Sequence, residues 1–299
     1  MDARKEHLLG VLFVMLSAVT WSSAGFFTRL INLDYATMIA ARGLFGAAGL
    51  VIVIVAMNGR DWTRQFRDFG RFEIIYVCLV VLGMIAYISS LGLTSIAHNA
   101  VIFATIPLIS ALYAWIALRE KPSASALYAA GLAVFGVAFM VGFGLDGGFW
   151  GDVLSLLATL CMASSIIIIR KKPTIAITAC ACLGSFLSGL VCLPFADFGA
   201  ASPLQLLYLV LFGLLNSAAG LTLFSLGSRR LPAVETALIS TIDTPLAPLW
   251  VWLAFNETAG PQTLIGGTIV MAAVIGHIVI SQRAMRPKRP ASAVTSGNP

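Results

Sequence analysis

The sequence predicts an all-α polytopic membrane protein of ten transmembrane helices in two inverted five-helix repeats, with N and C termini cytoplasmic. Three observations lead there. Hydrophobic residues fill 59% of the 299 positions and charged residues 11%, where a soluble domain has roughly half and a quarter. Apolar runs of about 20 residues, each long enough to cross about 30 Å of hydrocarbon, recur near 8–28, 36–57, 72–93, 97–118, 124–143, 151–169, 174–195, 204–226, 233–255 and 262–282. All of the 19 Lys and Arg residues except Arg29 and Arg42 fall at the two chain ends or in alternate gaps between these runs. Short basic loops stay cytoplasmic during insertion, which gives an even number of spans with both ends inside.

Each element follows from its own residues. The first run begins after Arg4 and Lys5, as a signal peptide would, but it lacks a small-x-small cleavage site and more spans follow, so it is read as a retained helix. All ten runs are read as helices, because lipid offers no partner for backbone groups and the alternation of barrel strands is missing. Between the second and third runs, residues 58–71 carry Trp62, Phe66 and Phe69 among arginines. That pattern suits either a short amphipathic interfacial segment or a solvated loop. The fourth run closes on Arg119 and Glu120, the sixth on Arg170, Lys171 and Lys172, and the eighth on Arg229 and Arg230. From Arg283 the chain is basic and then rich in Pro, Ser and Ala, so 283–299 is expected to be a disordered cytoplasmic tail.

Composition also excludes functions. The net charge of +6 is spread over the expected cytoplasmic loops, with no single basic face for nucleic acid. Cys78, Cys161, Cys180, Cys182 and Cys192 are odd in number and lie in apolar runs, which argues against a disulfide framework. Cys180 and Cys182 point about 200° apart on a helix, and no ligand set accompanies them. Neither a metal nor a cofactor is expected.

The chain also reads as a duplication, with residues 1–145 as the first five-helix repeat and 146–282 as the second. Setting Gly10 on Gly151 aligns Leu16 with Leu157, Ser23 with Ser164 and Arg29 with Arg170. A nearby offset aligns Ala100 with Ala237, Ile102 with Ile239, Trp115 with Trp252 and Glu120 with Glu257. An odd number of spans per copy makes the second enter from the opposite side, and such inverted repeats recur in transporters.

At these residues the chain resembles the drug/metabolite transporter superfamily, whose members carry two EamA-type repeats. The resemblance covers about residues 8–282 and rests on the Gly10 to Trp21 start of the first span, on Arg42 followed by small residues, and on Arg119-Glu120. Within that superfamily it looks like the YddG-like exporters of aromatic amino acids. The resemblance implies a cavity lined by spans 1, 3, 4, 6, 8 and 9, spans 5 and 10 at the periphery, and export across a bacterial inner membrane without nucleotide hydrolysis. Two departures stand out: the seventh span has no counterpart of Arg42, and Trp21 aligns with Met162.

Polar residues at membrane depth face a cavity or a partner. Asp243 continues a stripe with Thr236, Ser240 and Thr244, and reads equally as part of the substrate path or as an interhelical bond. Arg42 is expected to snorkel or to pair with Asp243 or Asp34, and Glu235 to pair with Arg229 and Arg230 or to act as a helix-start carboxylate; both are read as structural, as are Glu120 and Glu257. Trp21, Tyr87, Ser90, His98, Asn99, Phe103, Ser164, Asn216, Ser240 and Asp243 are the candidate substrate-cavity residues. Aromatic faces with a few polar donors suit an amphipathic organic substrate. Pro107 in the fourth span, and Pro245 and Pro248 in the ninth, occupy equivalent helices and mark hinges or static kinks.

The expected function is export of aromatic amino acids and related amphipathic metabolites by alternating access; the alternative is export of another small metabolite or drug. Expected partners are that small molecule and the lipid bilayer, and with both repeats in one chain a monomer is expected to suffice. An embedded enzyme is disfavoured because His-Glu-x-x-His, Gly-x-Ser-Gly and Walker A sequences are missing, and a channel because no filter-like loop or charge ring repeats. Asp243, Glu235 and His98 are the possible proton sites.

Overall fold

The computed structural model describes residues 3–67, 69–94, 96–141, 148–255 and 260–284. α1 (Ala3–Ser22) and α2 (Ala24–Ile31) make the first span, α3 (Tyr35–Asn58) the second and, after the short α4 (Arg64–Arg67), α5 (Arg71–Leu93) the third. α6 (Ile96–Ala104) and α7 (Ile106–Leu118) form the fourth, α8 (Ala124–Val141) the fifth, α9 (Phe149–Lys171) the sixth and α10 (Ile177–Cys192) the seventh. The eighth joins α11 (Pro203–Phe212), a π-helical turn over Gly213–Ala219 and α12 (Gly220–Ser228); the ninth joins α13 (Ala233–Ser240) and α14 (Asp243–Phe255); α15 (Pro261–Ala284) is the tenth. Among the described residues nine of these spans are long and apolar enough to cross a membrane, and α8 is a shorter apolar helix. The tenth helix runs through Arg283 to Ala284, so that residue belongs to the helix and not to the tail; the rest of the expected tail, 285–299, lies outside the described residues.

The packing repeats with the sequence. The second span packs on the seventh and the fifth on the tenth; the third meets the sixth as the first meets the eighth; the fourth meets the sixth as the ninth meets the first. Exchanging the two halves therefore maps each pairing onto itself or onto another. Close approach on this axis requires glycine: a Cβ on Gly43 would stand 2.6 Å from both the Gly189 Cα and the Ser185 carbonyl oxygen. Small residues at helix crossings let backbones approach where lipid gives no hydrophobic drive.

Polar ties close both ends. On the basic face, Lys172 Nζ donates to Glu73 Oε1 at 2.6 Å, Arg170 to Glu120 at 3.3 Å and Arg230 Nε to Glu6 at 2.9 Å, while Arg229 donates to the Ile175 carbonyl. On the opposite face, Asp34 accepts the Thr37 N–H at 2.8 Å as the N-cap of α3, Thr37 Oγ1 accepts the Asp197 N–H at 2.7 Å, and Thr94 donates to Asp152 at 2.5 Å. Within residues 58–71 the chain forms the single turn α4, and the aromatic side of this segment turns onto protein. Trp62, Phe66 and Phe69 pack against the cluster of Leu50, Ile54, Ala179 and Cys182, because the ends of α3 and α10 leave that apolar surface uncovered.

Candidate substrate site

Three spans are interrupted near the centre. The fourth stops at Thr105, where Pro107, buried in the first turn of α7, has no N–H to extend the preceding ladder. The ninth stops at Thr241 and Ile242, and Pro245 stands in the first turn of α14. In both, the junction tightens to i→i−3 bonds: Thr105 N–H to Ile102 O at 3.1 Å, and Thr241 N–H to Leu238 O at 3.2 Å. The pieces are 9 and 13 residues in the fourth span and 8 and 13 in the ninth. Since the spans run in opposite directions, one break lies nearer the basic face and the other nearer the opposite face. The first span also breaks, at Ser23, and the eighth carries its π turn beside it. Neither carries a proline at its interruption, so the sequence reading missed both. Such turns are common at functional sites.

Around these breaks stand Trp21, Tyr87, Phe103 and Asp243, all half-buried, as is Ser164 on α9. The Tyr87 and Phe103 rings meet edge to face with centroids 4.8 Å apart. Trp21 packs at 5.1 Å on Phe224 and donates through Nε1 to the Asn216 carbonyl at 3.1 Å. Trp21 and Phe103 lean on the same apolar cluster. Asn216 itself is buried and returns hydrogen bonds to the Thr20 and Trp21 carbonyls at 3.2 and 3.4 Å. Its amide fastens the π turn to the broken first span.

Several expected cavity residues have their polar groups hydrogen-bonded within the protein. Ser90 and Asn99 are buried in a seam between α5, α6 and α9, where Asn99 Nδ2 donates to Ser90 Oγ at 2.6 Å and Ser155 Oγ to Asn99 Oδ1 at 3.3 Å. Ser240 donates back to the Thr236 carbonyl at 2.9 Å, satisfying its hydroxyl within α13. The Thr236, Ser240, Asp243, Thr244 stripe is therefore not continuous: the break leaves its first two members buried on α13 and its last two half-buried on α14. The side chains of His98 and Pro248, and Glu257 altogether, lie outside the described residues.

The charges depart furthest from expectation. Arg42, half-buried on α3, pairs with neither Asp243 nor Asp34. Its Nε donates to Ser217 Oγ at 3.2 Å, and its guanidinium lies 5.6 Å from the Phe212 ring centre. Asp34 is occupied by its own helix start. The Asp243 carboxylate takes a hydrogen bond from Thr244 at 3.1 Å and no cation among the described residues. Yet Tyr87 lies within Coulombic range of both Arg42 and Asp243. Glu235 stands in the first turn of α13, as the helix-start alternative expects, but it does not pair with Arg229 or Arg230: it is buried against His7, with Oε1 at 2.9 Å from Nε2, between α1 and α15.

A duplicated bundle with interrupted helices in corresponding positions, and with ionisable groups held between spans, is the architecture of a membrane transporter. The EamA-like transporter family matches residues 8–142 and 149–279, and the chain belongs to that family. A solved crystal structure superposes with a TM-score of 0.79 at 15% identity, covering 93% of this chain and 99% of the other, a likeness of fold. No curated protein matches the sequence.

Proposed function

We propose that this protein exports zwitterionic amphipathic metabolites, aromatic amino acids foremost, by alternating access across a bacterial inner membrane, with its basic face and both termini cytoplasmic and one chain as the working unit. The observation that carries the reading is the pair of opposite charges, Arg42 and Asp243, each half-buried and without an ionic partner among the described residues. An unpaired charge between spans is costly. A zwitterion relieves both charges at once: its carboxylate meets the guanidinium and its ammonium the carboxylate. Tyr87, Phe103 and Trp21 supply the aromatic surface that an apolar side chain needs. In this reading α6 and α13 are the outer and inner gates, hinged at Thr105–Pro107 and Thr241–Pro245.

Counterflow of labelled L-phenylalanine into proteoliposomes tests the reading. Phenethylamine, which lacks the carboxylate, and phenylpropionate, which lacks the amine, each forfeit one charge-assisted bond of about 1.5–3 kcal/mol and should compete about ten-fold or more weaker. Equal competition by all three would remove the case for two-ended recognition.

A further inference from the structure

At the basic end of α13, away from the aromatic site, three spans meet on a buried polar cluster. His7 of α1, Glu235 of α13 and His277 of α15 are 6%, 3% and 5% exposed. His7 Nε2 stands 3.0 Å from Glu235 Oε2 and 2.9 Å from Oε1; His277 Nε2 stands 3.9 Å from Oε1. Gln282 Nε2 faces His7 Nδ1 at 2.6 Å. With the His7 bond directed at Oε2, Glu235 Oε1 is held only by its ion-pair proximity to the two imidazoles, and the buried His277 Nδ1 and Gln282 Oε1 have no hydrogen-bond partner. Unsatisfied buried polar atoms gathered at one place call for a reason.

We propose that His7, Glu235 and His277 form a proton-binding site that latches α13 to α1 and α15. The proton comes from bulk water, forms an N–H bond at His277 Nε2 and displaces nothing. The imidazolium then pairs with Glu235, drawing the 3.9 Å separation to hydrogen-bonding distance and leaving the cluster neutral. Without that proton an ionised carboxylate is buried against two neutral imidazoles, which favours release of α13 towards water. Gln282 lets His7 take either protonation state: as placed, its N–H serves a bare Nδ1, and turned by 180° its unpartnered Oε1 accepts from Nδ1–H.

The surrounding charges are engaged elsewhere or lie at the surface. Glu6 binds Arg230, Arg229 donates to the Ile175 carbonyl, and Glu120 binds Arg170; Arg4, Lys5 and Arg283 are exposed. Tyr128 on α8, the fifth-span helix packed against α13 and α15, is 80% exposed. Among the described residues no group of three His, Cys, Asp or Glu is placed to hold a metal ion.

The protein holds three histidines, so nitrogen-15 histidine NMR in nanodiscs resolves them. Across pH 5–9 the His7 and His277 signals should titrate as a linked pair, and Glu235→Gln should uncouple them while His98 is unmoved. Independent titration, or no effect of Glu235→Gln, overturns the site. The latch depends on the reading of α13 as a gate, whereas the NMR arm does not, so hydrogen exchange is the second measurement. Protection of the 233–240 amides, corrected for chemical exchange, should fall about ten-fold per pH unit above the midpoint, and His277→Asn should abolish that dependence. Flat wild-type protection with linked titration would overturn the latch and leave the proton site standing.

Discussion

Asp243→Asn distinguishes a substrate ligand from a structural carboxylate, because the two roles predict opposite pairs of results. In the structure its single polar partner is Thr244, at 3.1 Å, and no cation reaches it among the described residues. Asparagine keeps the shape and still accepts from that hydroxyl. The free protein loses a charge with no cationic partner, supported only by Thr244 and the first turn of α14, so stability should change by no more than about 1 kcal/mol. The bound substrate loses a charge-assisted hydrogen bond, about 1.5–3 kcal/mol, or roughly 10- to 150-fold in affinity. A carboxylate that tied helices together would behave differently, since leaving a buried partner charge alone costs about 3–5 kcal/mol of stability. The assay is a thermal melt of the detergent-solubilised variant alongside half-saturation of L-phenylalanine counterflow. A lowered melting temperature with unchanged half-saturation would refute the assignment of Asp243 to the substrate.

Three other changes test separate parts of the structure. Gly43→Ala puts a methyl 2.6 Å from backbone atoms of α10 that no rotamer can move, so the second and seventh spans must separate at a cost of about 1–3 kcal/mol, read as a lower melting temperature. Pro107→Ala and Pro245→Ala allow the broken fourth and ninth spans to heal, and should slow counterflow while leaving half-saturation near wild type; unchanged rates would sink the hinges. At Asp34 burial acts to raise the carboxyl pKa, but the side-chain and backbone hydrogen bonds from Thr37 outweigh it and hold it below its ordinary 3.8. The cap therefore stabilises the fold fully above that ordinary value and loses its contribution as pH falls through the lowered one. Asp34→Ala should cost about 1 kcal/mol at neutral pH, measured by thermal melting, and much less in strong acid.

The spans were legible because hydrocarbon thickness imposes one length and one periodicity everywhere, and the breaks at Pro107 and Pro245 because proline removes a donor that no context restores. The break at Ser23 and the π turn over Gly213–Ala219 carry no such mark. They arise from the tertiary fit of Trp21 against Asn216 and Gly220, where a Cβ on the glycine would lie 2.5 Å from the indole nitrogen. Ser90 and Asn99 are hydrogen-bonded to each other, which the sequence does not show for a related reason. A small polar residue on an inward face has the same sequence signature whether it meets substrate or a neighbouring helix, and only the position of Ser155 decides which.

The charged residues carry that lesson into mechanism. Sequence proximity offers Glu235 a pairing with Arg229 and Arg230 or a helix-start role, and leaves Arg42 to snorkel or to pair with Asp243 or Asp34. In the fold Arg229 and Arg230 are used on Ile175 and Glu6, which leaves Glu235 to two histidines from opposite ends of the chain. Arg42 is turned onto Ser217 and Phe212, which leaves Asp243 without a cation. Asp243 stands at the break of the ninth span itself, whereas the ion pairs on Glu6, Glu73 and Glu120 lie at helix ends on the basic face. A partnered charge stabilises one conformation; an unpartnered one makes conformation depend on what arrives. In the proposed mechanism that arrival is the substrate for Asp243 and Arg42 and a proton for Glu235, so the two sides of the break at Thr241 and Ile242 would respond to different ligands.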